Sequence, residues 1–286
     1  MTKRREFIGS LLSAGFLSGC RGLTGGSSEM NLAEFSIYIE WAAKYRRVSE
    51  ETIAHEMLAH GIRGLDAEYV EEERVHRLSG AGMRLISMYG SIHFLDPSRG
   101  RRETDAFLKA AKRCHAPQLM VLPDNFPAGM NRGKAMEGIV SGLSEFTQLA
   151  EHEGFLVNIE SFGSATNPCS RICYMTQLFD AIPSLGFTID TGNLFHAGNG
   201  RGDDILEAFR LFHGRIRHVH LKDRPRDAPR GYAPLGRGVI PNEKIVRALL
   251  AEGFGGWFTF EEAGAKDIAQ ATYDAADVLR SWTNGE

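Results

Sequence analysis

From Glu34 onward, short apolar runs alternate with longer segments whose apolar residues recur at three- and four-residue steps. The runs are E-F-S-I-Y-I at 34–39, I-R-G-L-D-A at 62–67, R-L-I-S-M-Y at 84–89, Q-L-M-V-L-P at 118–123, F-L-V-N-I-E at 155–160, G-F-T-I-D at 186–190, I-R-H-V-H-L at 216–221 and W-F-T-F-E-E at 257–262. Their length and their β-branched and aromatic content predict strands. The segment Arg132 to His152 typifies the intervening helices, with Ile139, Leu143, Phe146 and Leu149 on one stripe. Gly61, Gly82, Gly154, Gly186 and Gly253 or Gly255 stand where helices would end before the next strand. Eight strand-helix units in about 255 residues predict an α/β fold, a single-domain (β/α)8 TIM barrel over 33–286, rather than an open sheet. In such a barrel, reactive side chains come from the C-terminal ends of the strands and the loops that follow.

Composition supports a globular chain without low-complexity tracts: 286 residues, 43% hydrophobic and 24% charged. A formal charge of −3 carries no polyanion-binding signal, which argues against a nucleic-acid partner.

The start of the chain reads differently. M-T-K-R-R-E-F-I-G-S-L-L-S-A-G-F-L-S-G-C has paired arginines, a short apolar run too brief to span a bilayer, and small residues before Cys20. It resembles a twin-arginine export signal over 1–19 ending in a lipobox, which implies a periplasmic protein lipid-anchored through Cys20, with 20–32 as a flexible tether. Residues 1–19 hold three basic and one acidic side chain, so their removal takes the charge from −3 to −5. Cys114, Cys169 and Cys173 would then remain, an odd number that argues against a disulfide framework.

Four of the predicted strands carry chemistry-bearing residues at or near their ends: Glu160, Asp190, His220 and Glu261. They recur at about one βα unit, so all four should rise at the same rim on adjacent strands. Alternation agrees: Leu156, Asn158 and Glu160 share a face, as do Thr188 and Asp190, and Trp257, Thr259 and Glu261, while the opposite faces are wholly apolar. Three carboxylates converging on one spot need a compensating charge, and a cation is the economical answer. Oxygen ligands with one imidazole suit Mn²⁺ first, with Mg²⁺, Co²⁺ or Zn²⁺ as alternatives. In H-V-H-L-K-D, His218, His220 and Lys222 share one face, and only His220 reaches the height of the carboxylates.

These pieces, V-N-I-E at 157–160, T-I-D-T-G-N at 188–193, H-V-H-L-K-D at 218–223, P-L-G-R-G-V-I at 234–240 and F-T-F-E at 258–261, resemble the sugar isomerase/epimerase family with the xylose isomerase-like barrel, including hydroxypyruvate isomerase and the ketose 3-epimerases. The resemblance implies a divalent-metal-dependent isomerase or epimerase working through an enediolate. Its metal ligands would be Glu160, Asp190, His220 and Glu261, with Glu160 and Glu261 as the acid/base pair. It also points to Asn193, in a place where ketose epimerases often carry histidine, and to His196 and Arg226 as substrate contacts. Trp41 and His93 are further candidates to line the sugar, His218 and Asp223 to support the ligands, and Asp66, Glu68 and Asp124 to line the opposite rim. An exported enzyme would take an unphosphorylated sugar or keto-sugar, and family members suggest a homodimer.

Two other readings use the same residues. An endonuclease IV-like hydrolase would need extra metal ligands, for which His93 and His115 are candidates. A non-catalytic carbohydrate-binding lipoprotein would have no need of two carboxylates on one cation.

Overall fold

The computed structural model describes residues 30–197, 203–228 and 230–283. The export-signal segment 1–19, Cys20 and the tether as far as 29 lie outside the described residues.

Eight parallel strands close into a barrel in chain order, β1 pairing with both β2 and β8. They are β1 Asn31–Phe35, β2 Ile62–Glu68, β3 Arg84–Ile92, β4 Gln118–Pro123, β5 Leu156–Glu160, β6 Gly186–Asp190, β7 Ile216–Leu221 and β8 Trp257–Phe260. Around them, among the described residues, run α1 Ser36–Arg46, α2 Glu50–Ala59, α3 Glu72–Gly80, α4 Pro97–Arg113, α5 Arg132–His152, α6 Ile172–Ala181, α7 Thr191–Ala197, α8 Asp203–Phe212, α9 Asn242–Ala251 and α10 Ile268–Ser281. The outward faces, such as Val157 and Ile159, Phe187 and Ile189, Val219 and Leu221, are fully buried beneath the helices. That layer between strands and helices is the main hydrophobic core.

The local signals work as expected at most boundaries. Gly61, Gly82, Gly154 and Gly253 adopt positive φ at helix ends, whereas Gly186 lies inside β6. Asn131 caps α5 by accepting from the Lys134 amide, and Asp96 caps α4 ahead of Pro97. Helix α5 buries Ile139, Leu143 and Phe146, but Leu149 is 45% exposed and Ala150 takes its place in the core.

The first strand differs from its predicted span. E-F-S-I-Y-I divides after Phe35: β1 begins at Asn31, and Ser36 opens helix α1. Ser36, Tyr38, Ile39, Ala42 and Ala43 form the buried face of that helix, a helical period concealed within a run that also alternates like a strand. Trp41 therefore sits on a helix. Leu156, expected inside, is 51% exposed at the N-terminal end of β5.

Candidate metal and sugar site

The barrel brings Glu160, Asp190, His220 and Glu261 together at the C-terminal rim. Strand register does this: Glu160 pairs with Thr188, Asp190 with His220, and His220 with Thr259, two residues before Glu261. One ligand atom from each lies within 4.8 Å of the others. Glu160, Asp190 and His220 are buried, and the Glu261 side chain is 18% exposed.

Two further buried groups enter the cluster. Asp66 on β2 reaches across the barrel, its Oδ2 lying 3.1 Å from His220 Nε2, while His220 Nδ1 faces Glu160 Oε1 at 2.8 Å. Asp66 had been expected only on the opposite rim. Lys222, expected on the same inward face as His218 and His220, places its ammonium 2.6 Å from Glu261 Oε1 and 3.1 Å from Asp190 Oδ2. Asn193 Oδ1 accepts from the same ammonium at 3.3 Å, and the Asn193 amide donates to Asp190 Oδ1 at 2.8 Å. Gly192 makes room for this lysine, because a Cβ there would fall 2.5 Å from its side chain.

The electrostatics follow from burial and charge count. Four carboxylates, Asp66, Glu160, Asp190 and Glu261, face two cationic side chains, His220 and Lys222. Burial pushes Glu160 up to about 7 despite the opposing pull of His220. Burial likewise raises Asp66, against the bond to His220, and Glu261, against the charge of Lys222. For Asp190, burial is overcome by the charges of Lys222 and His220, which hold its carboxyl below the usual range. His220 would be driven down by burial, but Glu160 and Asp66 raise it to about 10. The cluster therefore gathers more carboxyl groups than cationic side chains. Together with its three-carboxylate, one-imidazole donor set, that excess fits a divalent cation held by Glu160, Asp190, Nδ1 of His220 and Glu261. Nε2–H of His220 would then donate to Asp66, the arrangement that fixes a ligating histidine's ring and tautomer.

One layer deeper lies a neutral hydrogen-bonded set. His218 Nε2 meets Thr259 Oγ1 at 2.6 Å, and Asn158 donates to Gln118 at 3.1 Å, with Gln118 Nε2 3.5 Å from His218 Nδ1. Burial, and then the charge of His220, push His218 well below its ordinary value.

Asp223 plays a different part from the one expected. Its carboxylate accepts from four backbone amides, those of Arg224, Gly236, Gly238 and Ile240, at 2.8 to 3.1 Å. It thus ties down the loop after β7 rather than a ligand. P-L-G-R-G-V-I has its two glycines for this reason: Gly236 has φ 77°, and a Cβ on Gly238 would lie 2.1 Å from Asp223 Oδ1.

The remaining candidates scatter. His93 is bound to Glu103 through both its ring nitrogen and its amide. His115 is exposed just before β4, at the rim opposite to the cluster, so the two histidines needed for an endonuclease-like centre do not converge. Asp124 accepts from the Leu95 amide, and Glu68 is half-buried at the end of β2 with its carboxyl raised by burial. Arg226 is exposed on the β7 loop. His196 belongs to α7 and bonds Arg230. Trp41 is 43% exposed, its ring 5.2 Å from Tyr38. Tyr38 itself went unnoticed in the sequence because it lies in the misdivided first run; its hydroxyl is 3.3 Å from Glu261 Oε1. The Phe35 ring packs edge-on to His220 at 4.9 Å. Cys114 and Cys169 are buried, Cys173 is exposed, and all three are free thiols.

A closed barrel with this cluster at its rim defines a class, and the comparisons agree. The chain belongs to the family described as xylose isomerase-like TIM barrel, whose profile matches residues 50–282. Over 140 residues it is 27% identical to inosose dehydratase of Geobacillus thermodenitrificans, covering 43% of this chain and 45% of that protein, so it matches less than half of that relative's length. Among solved structures it is similar to the probable 3-DHS dehydratase AsbF of Bacillus anthracis, with a TM-score of 0.71, 13% identity and coverage of 90% and 100% of the two chains. It is also similar to the 3-keto-D-glucoside 4-epimerase YcjR of E. coli, at 0.64, 16%, 89% and 100%. For the D-psicose 3-epimerase of Clostridium cellulolyticum H10 the figures are 0.64, 17%, 88% and 99%. At these identities the structural likeness concerns the fold.

Proposed function

We propose that this protein is a divalent-metal-dependent enzyme that moves a carbon-bound proton of an unphosphorylated sugar or keto-sugar, as an isomerase or epimerase working through an enediolate. The observation that supports it is the cluster of Glu160, Asp190, His220 and Glu261 at the C-terminal ends of consecutive strands, with more buried carboxyl groups than cationic side chains. Mn²⁺ matches this donor set best, and a bound divalent ion would stabilise negative charge on the substrate's oxygens and so acidify the neighbouring C–H. Glu160, at the end of β5 beside His220, would remove the first proton. Glu261, just past the end of β8, would deliver or remove the second proton. Redelivery to the same carbon gives an epimer, and redelivery to the adjacent carbon gives the isomer. Export and lipidation at Cys20 belong to the same reading, with loss of lipid labelling in Cys20→Ala as its check.

Lys222 favours a second reading. An ammonium beside Glu261 and Asp190 would stabilise negative charge on a departing hydroxyl while Glu261 delivers the proton, so that removal of the C–H proton would be followed by loss of water instead of reprotonation.

Incubation with Mn²⁺ and a panel of sugars in D₂O tests both. Deuterium at carbon without loss of mass as water is expected for the first reading, and a dehydrated product for the second. Glu160→Gln and Glu261→Gln should each abolish exchange, and undiminished exchange in either variant defeats the acid/base assignment.

A further inference from the structure

The loop after β7 carries R-P-R-D-A-P-R at 224–230, and two of its arginines lie against α7 beside the acidic cluster. Arg224 and Lys222 pass over the same glycine: a Cβ on Gly192 would lie 2.5 Å from Lys222 and 3.0 Å from Nε of Arg224. Arg224 Nη1 donates to the Gly231 carbonyl at 2.8 Å, yet its Nε is buried without an acceptor. Arg230 Nε donates to His196 Nε2 at 2.9 Å. That bond puts the imidazole lone pair on Nε2, so the neutral ring carries its hydrogen on Nδ1, which is likewise buried without a partner. Burial, then the charges of Arg230, Arg224 and Lys222, favour this neutral form. Among the described residues, neither Arg224 nor Arg230 forms an ion pair, whereas Lys222 next to them forms two. Buried donors left unmade are costly, and two of them beside two unneutralised guanidinium groups call for an anionic acceptor.

We propose that Arg224, Arg230 and His196 form an anion subsite at the barrel mouth, and that the substrate is a sugar acid whose carboxylate docks there. The inference rests on the proton-transfer reading above, since it supposes that the hydroxyl-carbonyl end of the same molecule reaches Glu160 and Glu261. A carboxylate fits better than a phosphate. Planar guanidinium forks match two coplanar oxygens, and the nearby amide of Asn193 that could serve a third is already bonded to Asp190.

Calorimetric titration of the Mn²⁺-loaded protein with D-glucuronate and D-galacturonate, with D-glucose and D-galactose, and with the corresponding 6-phosphates tests this. The uronates should bind at least about tenfold more tightly than the neutral sugars, as for a charge-assisted contact, and Arg224→Gln and Arg230→Gln should each collapse that preference. Arg230→Gln is the cleaner variant, because Arg224 also holds loop carbonyls. Equal binding of acids and neutral sugars, or a preference surviving in both variants, overturns the subsite. Tighter binding of the 6-phosphates overturns the carboxylate assignment. Calorimetry reads binding and the D₂O experiment reads exchange, so absence of exchange on every sugar and absence of acid preference are separate results.

Discussion

The Lys222 ammonium lies 2.6 Å from Oε1 of Glu261, a residue that also belongs to the candidate metal-binding set. Both side chains are held there by the barrel, Lys222 following the end of β7 and Glu261 directly following β8. Burial alone would lower the lysine, but Asp190 and Glu261 keep it well above its ordinary value. The lysine thus offsets charge that a divalent ion would also offset, and the two cations share the same carboxylates.

Lys222→Met should therefore destabilise the metal-free protein, since it leaves Asp190 and Glu261 buried with one cation fewer. The expected loss is about 3–5 kcal/mol, read as a fall in Tm of roughly 6–20 °C. Saturating Mn²⁺ should restore most of it. An equal loss with and without Mn²⁺, by scanning calorimetry, would show that the lysine acts apart from the metal.

Asp66→Ala removes the acceptor that holds Nε2 of His220. Mn²⁺ affinity, measured by electron paramagnetic resonance titration, should fall by about 10- to 100-fold while the folded structure persists. Unchanged affinity would show that Asp66 does not orient the ligand.

Asp223→Ala takes away the acceptor of four backbone amides across 224–240. Limited proteolysis should then cut within that segment long before the barrel, which wild type should resist. Cleavage at wild-type rates would mean that the loop is held by other contacts.

Glu34 provides a pH test at a carboxyl outside the ligand set. It is fully buried between β1 and α10, with Thr272 Oγ1 2.6 Å from its Oε2, and burial raises it to about 8 from 4.5. A folded state that holds this proton more tightly than the unfolded chain loses stability as pH rises from about 4.5 towards 8, at most on the order of 1.4 kcal/mol per unit. Denaturant titrations at pH 5.5 and 8.5, values on the order of those bounding the transition, should show wild type losing more stability than Glu34→Gln. Identical pH dependence in the two proteins would falsify the assignment.

Much of this was legible in the residues. Eight apolar runs separated by helical periods are enough for a closed barrel, and strand-end position with two-residue alternation was enough to place Glu160, Asp190, His220 and Glu261 at one rim, because both are consequences of local backbone geometry. The first run failed for a local reason too: Ser36 to Ala43 carries a helical stripe within a stretch that also alternates.

What the sequence by itself determined, then, was the barrel and the identities of the four strand-end residues on its staves. The tertiary structure alone decided how their charges are met: that Asp66, separated from His220 by 154 positions, binds its far nitrogen, that Lys222 turns inward over Gly192, and that Asp223 faces its own loop. These are contacts across the barrel or at loop ends, where side-chain direction is set by closure of the whole sheet and by the balance of buried charge, quantities that no run of neighbouring residues contains.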